Sequence, residues 1–138
     1  MSLKIPEKKM SKSDSPDSFI ALLDIPENIK KKIAGSTTDS EKKIKFDPKK
    51  KPGVSNLLTI YSLFSEEPIK ELEKQFKNKG YQEFKQTLGC LLIEKLEPFR
   101  SFASNPAQLE KILGAGAKKA KTIARKTMKK VRKNMGLV

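Results

Sequence analysis

The densest group of polar side chains able to do chemistry in this sequence lies near its start, at residues 9–14, which read Lys-Met-Ser-Lys-Ser-Asp. From Lys8 to about Asp17 the chain has too few apolar residues to form a regular element, so we expect a mobile loop that a partner orders. A charged run of this kind is also typical of a solvated tail. The residue types alone therefore leave both interpretations open.

The rest of the composition excludes several kinds of site. The 138-residue chain has no histidine and one cysteine, Cys90, which excludes histidine-based acid–base catalysis, an internal disulfide and a cysteine-based metal cluster. No metal site is expected. Because Cys90 lies in the apolar run at 88–93, we expect a buried structural thiol. No apolar stretch is long enough to cross a bilayer and no secretion signal is visible, so we expect a cytoplasmic protein without a membrane partner.

Positive charge is concentrated at the end of the chain. The net charge is +14, and residues 111–138 carry 10 Lys or Arg and no acid, whereas residues 53–110 carry 7 basic and 8 acidic residues. This asymmetry indicates a polyanionic partner, either nucleic acid or an anionic membrane surface. Lysine outnumbers arginine, 27 to 3, which suits contact with phosphates better than reading of bases.

Apolar residues recur at intervals of three and four through most of the chain, which predicts an all-α fold. From residue 53 onward this period predicts a helical bundle of four or five helices, preceded by an irregular N-terminal arm. We divide the chain into a loop-bearing arm at 1–18, a linker with a short helix at 19–52, and a helical domain at 53–138.

Several residues predict where helices begin and end. Ser65 is expected to cap a helix whose first turn holds the three residues after it, and Gly80 is expected to end that helix in a left-handed conformation. Asn105 followed by Pro106 is typical of a helix start, because asparagine caps and proline suits the first turn. The apolar patch formed by Phe19, Ile20, Leu22 and Leu23 is expected to form a strand or a turn that packs on something outside this chain.

Several blocks of sequence, in order, resemble one known family. They are KMSKSD at 9–14, IKKKI and TTDSE within 29–41, KPGVSNLLTIYS at 51–62, ELE and NKGYQEFK up to Lys85, and a basic tail ending in VRKNMGL. Together they resemble the C-terminal part of the bacterial tryptophanyl-tRNA synthetases, which belong to the class I aminoacyl-tRNA synthetases. The resemblance implies a helical anticodon-binding domain preceded by a loop that closes over ATP during amino-acid activation.

The resemblance also implies roles for the loop residues. Lys9 and Lys12 would be catalytic, bringing ammonium groups to the phosphates of ATP, and Met10, Ser11 and Ser13 would complete the ATP-binding loop. ATP is a substrate of the family, used with Mg²⁺ in the full enzyme, and no cofactor is expected to be bound to this part alone. A Rossmann catalytic domain would precede the chain, and the full enzyme would be a homodimer that acts on tRNA(Trp).

Candidate RNA contacts lie in the basic tail. We name five cations of its last helix as candidate tRNA-binding residues: Lys118, Lys121, Arg125, Lys129 and Arg132. Each could equally belong to a solvated helix face, and a stand-alone basic RNA-binding module without a catalytic role is the alternative function. A membrane-surface helix is disfavoured, because the apolar face at 117–135 is mostly alanine. Tyr61 and Tyr81 lie on apolar stripes, so we expect core packing rather than base stacking.

Overall fold

A computed structural model of the chain describes residues 1–41 and 43–137. Within these residues every regular element is helical, which confirms the predicted all-α fold. After a short 3-10 helix at Pro16–Ser18, the α-helices are α1 (Pro26–Ala34), α2 (Pro52–Ser65), α3 (Ile69–Gln75), α4 (Tyr81–Ala103) and α5 (Pro106–Asn134). The chain forms two compact units, Met1–Pro98 and Phe99–Val138. The functional division at 18 and 52 stays a prediction.

The core of the first unit is centred on three aromatic rings. Tyr61 of α2 lies with its ring centroid 5.6 Å from that of Phe76 and 6.0 Å from that of Phe84, and the two phenylalanine centroids are 5.0 Å apart. Such aromatic pairs contribute about 0.5–1.5 kcal/mol each beyond burial of their area. The aliphatic side chains buried in the same core come from the arm, from the segment between α1 and α2, and from helices α1–α4: Leu3, Ile29, Ile33, Ile44, Val54, Leu57, Leu58, Leu72, Leu88, Leu92 and Leu96.

Helix α2 begins where two backbones approach each other closely. Gly53 in its first turn faces the backbone of Thr37, and a Cβ atom built on Gly53 would lie 2.2 Å from the Thr37 carbonyl oxygen. Only a residue without a side chain allows this approach. The contact sets the polar segment before α2 directly against the start of the helix.

Two of the predicted helix ends are wrong. Helix α3 begins at Ile69 with Pro68 as its N-cap, whereas the Ser65 hydroxyl oxygen only accepts the Glu67 N–H at 3.2 Å. Glu66 has a left-handed φ of 64°, so it cannot be the first helical residue after a Ser65 cap. Gly80 does not have a positive φ. Its carbonyl oxygen accepts the Phe84 N–H at 3.1 Å, so it lies at the start of α4 rather than at the end of α3.

The prediction for the start of α5 agrees with the structure. The Asn105 side chain accepts the Gln108 N–H at 3.2 Å, and Pro106 occupies the first turn. The helix then continues to Asn134 with no buried residue. The buried core of the expected bundle is therefore built by α1–α4 and the arm. No helix in the described part of the chain combines the length and apolar character that crossing a membrane requires.

The prediction of a buried thiol is wrong, since Cys90 is exposed. The buried leucines of α4, Leu88, Leu92 and Leu96, follow one another at steps of four and define its core face. Cys90 is two positions from the nearest of them. Two residues correspond to about 200° around a helix, which turns the thiol away from the core.

Replacing Gly53 with alanine should destabilise the first unit strongly. The new Cβ would meet the Thr37 carbonyl, and forced overpacking costs about 3 kcal/mol where the backbone cannot shift. Gly89→Ala is the matched control, because nothing lies within 4 Å of the position that its new Cβ would take and alanine stabilises a helix interior by about 0.5–1 kcal/mol. Urea unfolding compares the two variants. A Gly53→Ala free energy of unfolding equal to wild type would contradict the close approach.

Candidate functional site

Both ends of the candidate loop are held by two consecutive residues of the arm. The Ser2 N–H donates to the Lys8 carbonyl oxygen at 2.9 Å, and the Leu3 N–H donates to the Ser18 carbonyl oxygen at 2.8 Å. Ser2 and Leu3 are only 2% and 1% exposed. Hydrogen bonds in such a buried position exchange little with water. Residues 9–14 therefore project from a base that is closed at both sides.

The same arm is bonded to the helical core on its other side. The Thr37 N–H donates to the Leu3 carbonyl oxygen at 2.8 Å, and the Thr37 hydroxyl donates to the Lys4 carbonyl oxygen at 2.7 Å. The side-chain amide of Asn56 in α2 accepts a hydrogen bond from the Met1 nitrogen and donates to the carbonyl oxygens of Met1 and Ser2. These contacts connect the base of the loop to the start of α2.

Within the loop, the candidate catalytic lysines face solvent. Lys9 and Lys12 are exposed, and among the described residues neither forms an ion pair. Met10 is half-buried and packs against the core. Ser11 organises the turn, because its hydroxyl oxygen accepts the Ser13 N–H at 3.2 Å. The structure thus brings the five candidate ATP-binding residues together at one turn, with their positive charges available to an anion.

The described residues suit an anion better than a metal ion at this position. No group of three or more His, Cys, Asp or Glu side chains in the described part of the chain could hold a metal. The loop instead combines two ammonium groups with serine hydroxyl groups, the donors that phosphate oxygens accept. The chemistry of the donors therefore fits the phosphates of a nucleotide.

A charged cluster fixes the segment between α1 and α2. Lys51 is 6% exposed, and its Nζ lies 3.0 Å from Asp39 Oδ1 and 2.9 Å from Glu41 Oε2. The Tyr81 hydroxyl at the start of α4 donates to Asp39 Oδ1 at 2.7 Å and lies 3.0 Å from the Lys43 carbonyl oxygen. Three separate parts of the chain meet at one carboxylate.

These contacts shift the pKa values of Asp39, Lys51 and Tyr81. Burial opposes ionisation of Asp39, but hydrogen bonds from Tyr81, Lys51 and the Glu41 amide outweigh it and hold the pKa of the carboxyl below its usual value. Burial also opposes the charge on Lys51, yet its bonds with Glu41 and Asp39 hold the pKa above the usual value. For Tyr81, burial and then the bond to Asp39 raise the pKa to about 12.

The candidate RNA-binding residues share one face of α5. Their successive spacings of three and four residues place all five within a narrow arc of the helix, and all five are exposed. Apolar residues on the other sides of α5 are exposed as well: Leu109, Ile112, Leu113, Ile123 and Val131. This helix therefore presents a continuous basic surface at some distance in sequence from the loop.

Sequence reasoning missed the residues that hold the base of the loop and those that hold the segment between α1 and α2. Asn56, Lys51 and Asp39 lie inside the blocks that carry the family resemblance, but those blocks were used to identify the family and not to assign contacts. Tyr61 packs in the core as expected. Tyr81 is only half-buried, because its hydroxyl reaches the Asp39 cluster. For Asn56 the available signal was a polar residue among the apolar residues of the block at 51–62. Asp39 lies in the polar run TTDSE, which gives no such signal.

Comparison with known proteins identifies the family. A family model described as "tRNA synthetases class I (W and Y)" matches residues 1–97 of the chain. The chain belongs to this family. Among curated relatives, tryptophan–tRNA ligases of Oceanobacillus iheyensis, Bacillus anthracis and Bacillus subtilis are 49%, 47% and 45% identical, and each match covers 99% of this chain.

The matches also show how much of these enzymes the chain represents. It spans 43% of the length of each of these relatives and corresponds to their C-terminal part. A solved structure of the tryptophanyl-tRNA synthetase from Mycoplasma pneumoniae matches the whole chain with a TM-score of 0.78 and 34% identity, over 45% of that protein. The chain thus spans less than half of the length of each of these proteins.

Tyr81 should ionise only near pH 12. In Tyr61→Phe it is the one remaining tyrosine, so absorbance at alkaline pH follows its phenol alone, and Asp39→Asn in the same background should shift the midpoint back toward 10. Since the folded pKa exceeds the unfolded one, the contribution of Tyr81 to stability is complete below pH 10 and is lost as the pH rises toward 12. Circular dichroism monitors folding throughout. A midpoint near 10 with Asp39 intact would contradict the cluster.

Proposed function

We propose that the chain is the C-terminal part of a cytoplasmic tryptophan–tRNA ligase, in which residues 9–14 contact ATP and α5 contacts tRNA(Trp). The observation that carries this proposal is the loop itself: two exposed lysines with no described acidic partner project from a base closed by hydrogen bonds. Membership of the tRNA synthetase family supports the assignment of that loop to a nucleotide. The Rossmann catalytic domain and a homodimeric full enzyme belong to the same proposal.

The loop residues would stabilise the negative charge that develops on the phosphate oxygens of ATP during the reaction. When a tryptophan carboxylate attacks the α-phosphate of ATP, pyrophosphate leaves and negative charge increases on the phosphate oxygens. Ammonium groups that reach those oxygens stabilise the transition state more than the ground state. Lys12 is our choice for that contact, with Lys9 beside it. Met10 anchors the turn on the core, while the Ser13 hydroxyl provides a further donor and Ser11 preserves the shape of the turn. Mg²⁺ would neutralise part of the phosphate charge when bound in the full enzyme.

The basic face of α5 would contribute affinity for RNA through phosphates. Lysine is a point charge that neutralises phosphate and releases counterions, which gives strong salt dependence and little sequence reading. The exposure of all five candidate residues supports their availability to a large ligand. Recognition of the anticodon bases then requires other groups of the full enzyme or of the first unit.

Lys12→Ala should slow adenylate formation in the complete enzyme by about 10²-fold or more, the scale of losing one preorganised donor. Tryptophan-dependent pyrophosphate exchange measures this rate directly. Lys31→Ala, which removes an exposed lysine of α1 away from the loop, is the control and should leave exchange unchanged. Exchange within threefold of wild type for Lys12→Ala would contradict the proposed role of the loop.

Neutralising the candidate face of α5 should weaken binding of tRNA(Trp) to this chain and flatten its salt dependence. Replacing Lys118, Lys121, Arg125 and Lys129 with glutamine should reduce the slope of log affinity against log salt by about three. The matched control replaces four lysines on another side of α5: Lys119, Lys126, Lys130 and Lys133. Filter binding across a potassium chloride series compares the two. An equal loss in both variants would assign the attraction to the helix as a whole.

A further inference from the structure

Asn56 is a buried polar residue whose hydrogen-bonding capacity is fully directed at another segment. It lies in α2, is 8% exposed, and its Oδ1 accepts from the Met1 backbone nitrogen at 3.0 Å. Its Nδ2 donates to the carbonyl oxygens of Met1 and Ser2 at 3.1 and 3.2 Å. A side-chain amide can accept and donate at the same position, which no other side chain of this size and shape does.

The residue that Asn56 binds is also the residue that closes the loop. Ser2 accepts from Asn56 through its carbonyl oxygen, and its own N–H donates to the Lys8 carbonyl oxygen. Its neighbour Leu3 donates to Ser18 on the far side of the loop. A continuous path of two hydrogen bonds therefore runs from α2 through one buried residue to the position immediately before Lys9.

The tip of the loop has no comparable attachment to the other residues that the structure describes. Apart from the packing of Met10, its bonds are internal: the Ser13 and Asp14 N–H groups both donate to Ser11. The orientation of Lys9 and Lys12 is consequently determined at the base. A small rotation of Ser2 would be carried to both lysines, and a misplacement of about 1 Å at a reacting group costs up to about 100-fold in rate.

We propose that Asn56 is a positioning residue for the phosphate-binding loop, and that it couples α2 to the placement of Lys9 and Lys12 by holding the backbone of Met1 and Ser2. This inference rests on the proposed role of the loop in ATP binding. Asn56 touches neither substrate nor the reacting atoms. It acts through Ser2, whose N–H holds the carbonyl group next to the first loop lysine.

The neighbouring residue Ser55 is a matched control for a purely structural role. Ser55 is 4% exposed, and its hydroxyl oxygen accepts the Asp47 N–H at 2.8 Å. It therefore ties α2 to the segment before the helix and not to the loop base. Ser55→Ala should lower the unfolding temperature of the chain without displacing the loop. Comparing it with Asn56 variants separates loss of stability from loss of positioning.

The test is a double-mutant cycle in the complete enzyme, read by tryptophan-dependent pyrophosphate exchange. We expect Asn56→Ala to lower kcat by up to about 100-fold with the KM for tryptophan unchanged. In a Lys12→Ala background, where the contact to be positioned is absent, the further loss should shrink to within about threefold. Asn56→Asp, which keeps the shape but sets a carboxylate oxygen against two carbonyl groups, should give the same result if the alanine variant folds poorly.

The outcomes separate this inference from the function on which it rests. A loss from Asn56→Ala that is equally large in the Lys12→Ala background, or a loss matched by Ser55→Ala, overturns the positioning role while the proposed function stands. Exchange that is unaffected by Lys12→Ala overturns the proposed function itself, and the positioning role with it. Strong coupling between Asn56 and Lys12, absent for Ser55, supports both.

Discussion

Ser2 and Leu3 are buried, and the need to satisfy their backbone N–H and C=O groups organises the first unit. A buried backbone group without a partner costs about as much as a lost hydrogen bond. Here the partners come from three different places: Asn56 of α2, Thr37 of the linker, and the two ends of the candidate loop at Lys8 and Ser18. Since one strip of backbone serves all of them, these segments must become ordered together.

The lysines of the chain divide into two physical classes. Lys51 and Lys32 are buried, and each is bound to a carboxylate, with Lys32 Nζ 2.6 Å from Asp24. A buried ammonium group is tolerated only when paired in this way. The cations of α5 all lie between Lys111 and Lys133 and are exposed, and residues 111–138 contain no acid. The first class holds the linker and α1 in place, whereas the second is available to an anionic partner, so net charge alone does not indicate how many lysines can contact such a partner.

The predictions from sequence succeeded where a pattern is local and repeated. Helix α1, the buried face of α2 and the Asn105 cap follow from apolar spacing and from residue types that act within one turn. The predictions failed where the outcome depends on which side of a helix meets the core, or on the backbone conformation of the next residue. Cys90 has apolar neighbours in sequence but lies off the stripe of Leu88 and Leu92. Ser65 has the chemistry of a cap, yet the left-handed Glu66 delays the next helix.

The sequence by itself determined the helical class, the family and the basic character of the last helix, and it predicts a role for the loop at 9–14. Each of these is encoded in neighbouring residues or in a contiguous motif. Only the tertiary structure decided what holds the loop, because Asn56 and Ser2 are separated by 54 positions and a single hydrogen bond leaves no periodic trace in the chain. The tertiary structure also decided that Lys51 is buried and paired with carboxylates, whereas no residue of α5 is buried. Burial depends on how the elements pack and not on the order of the residues.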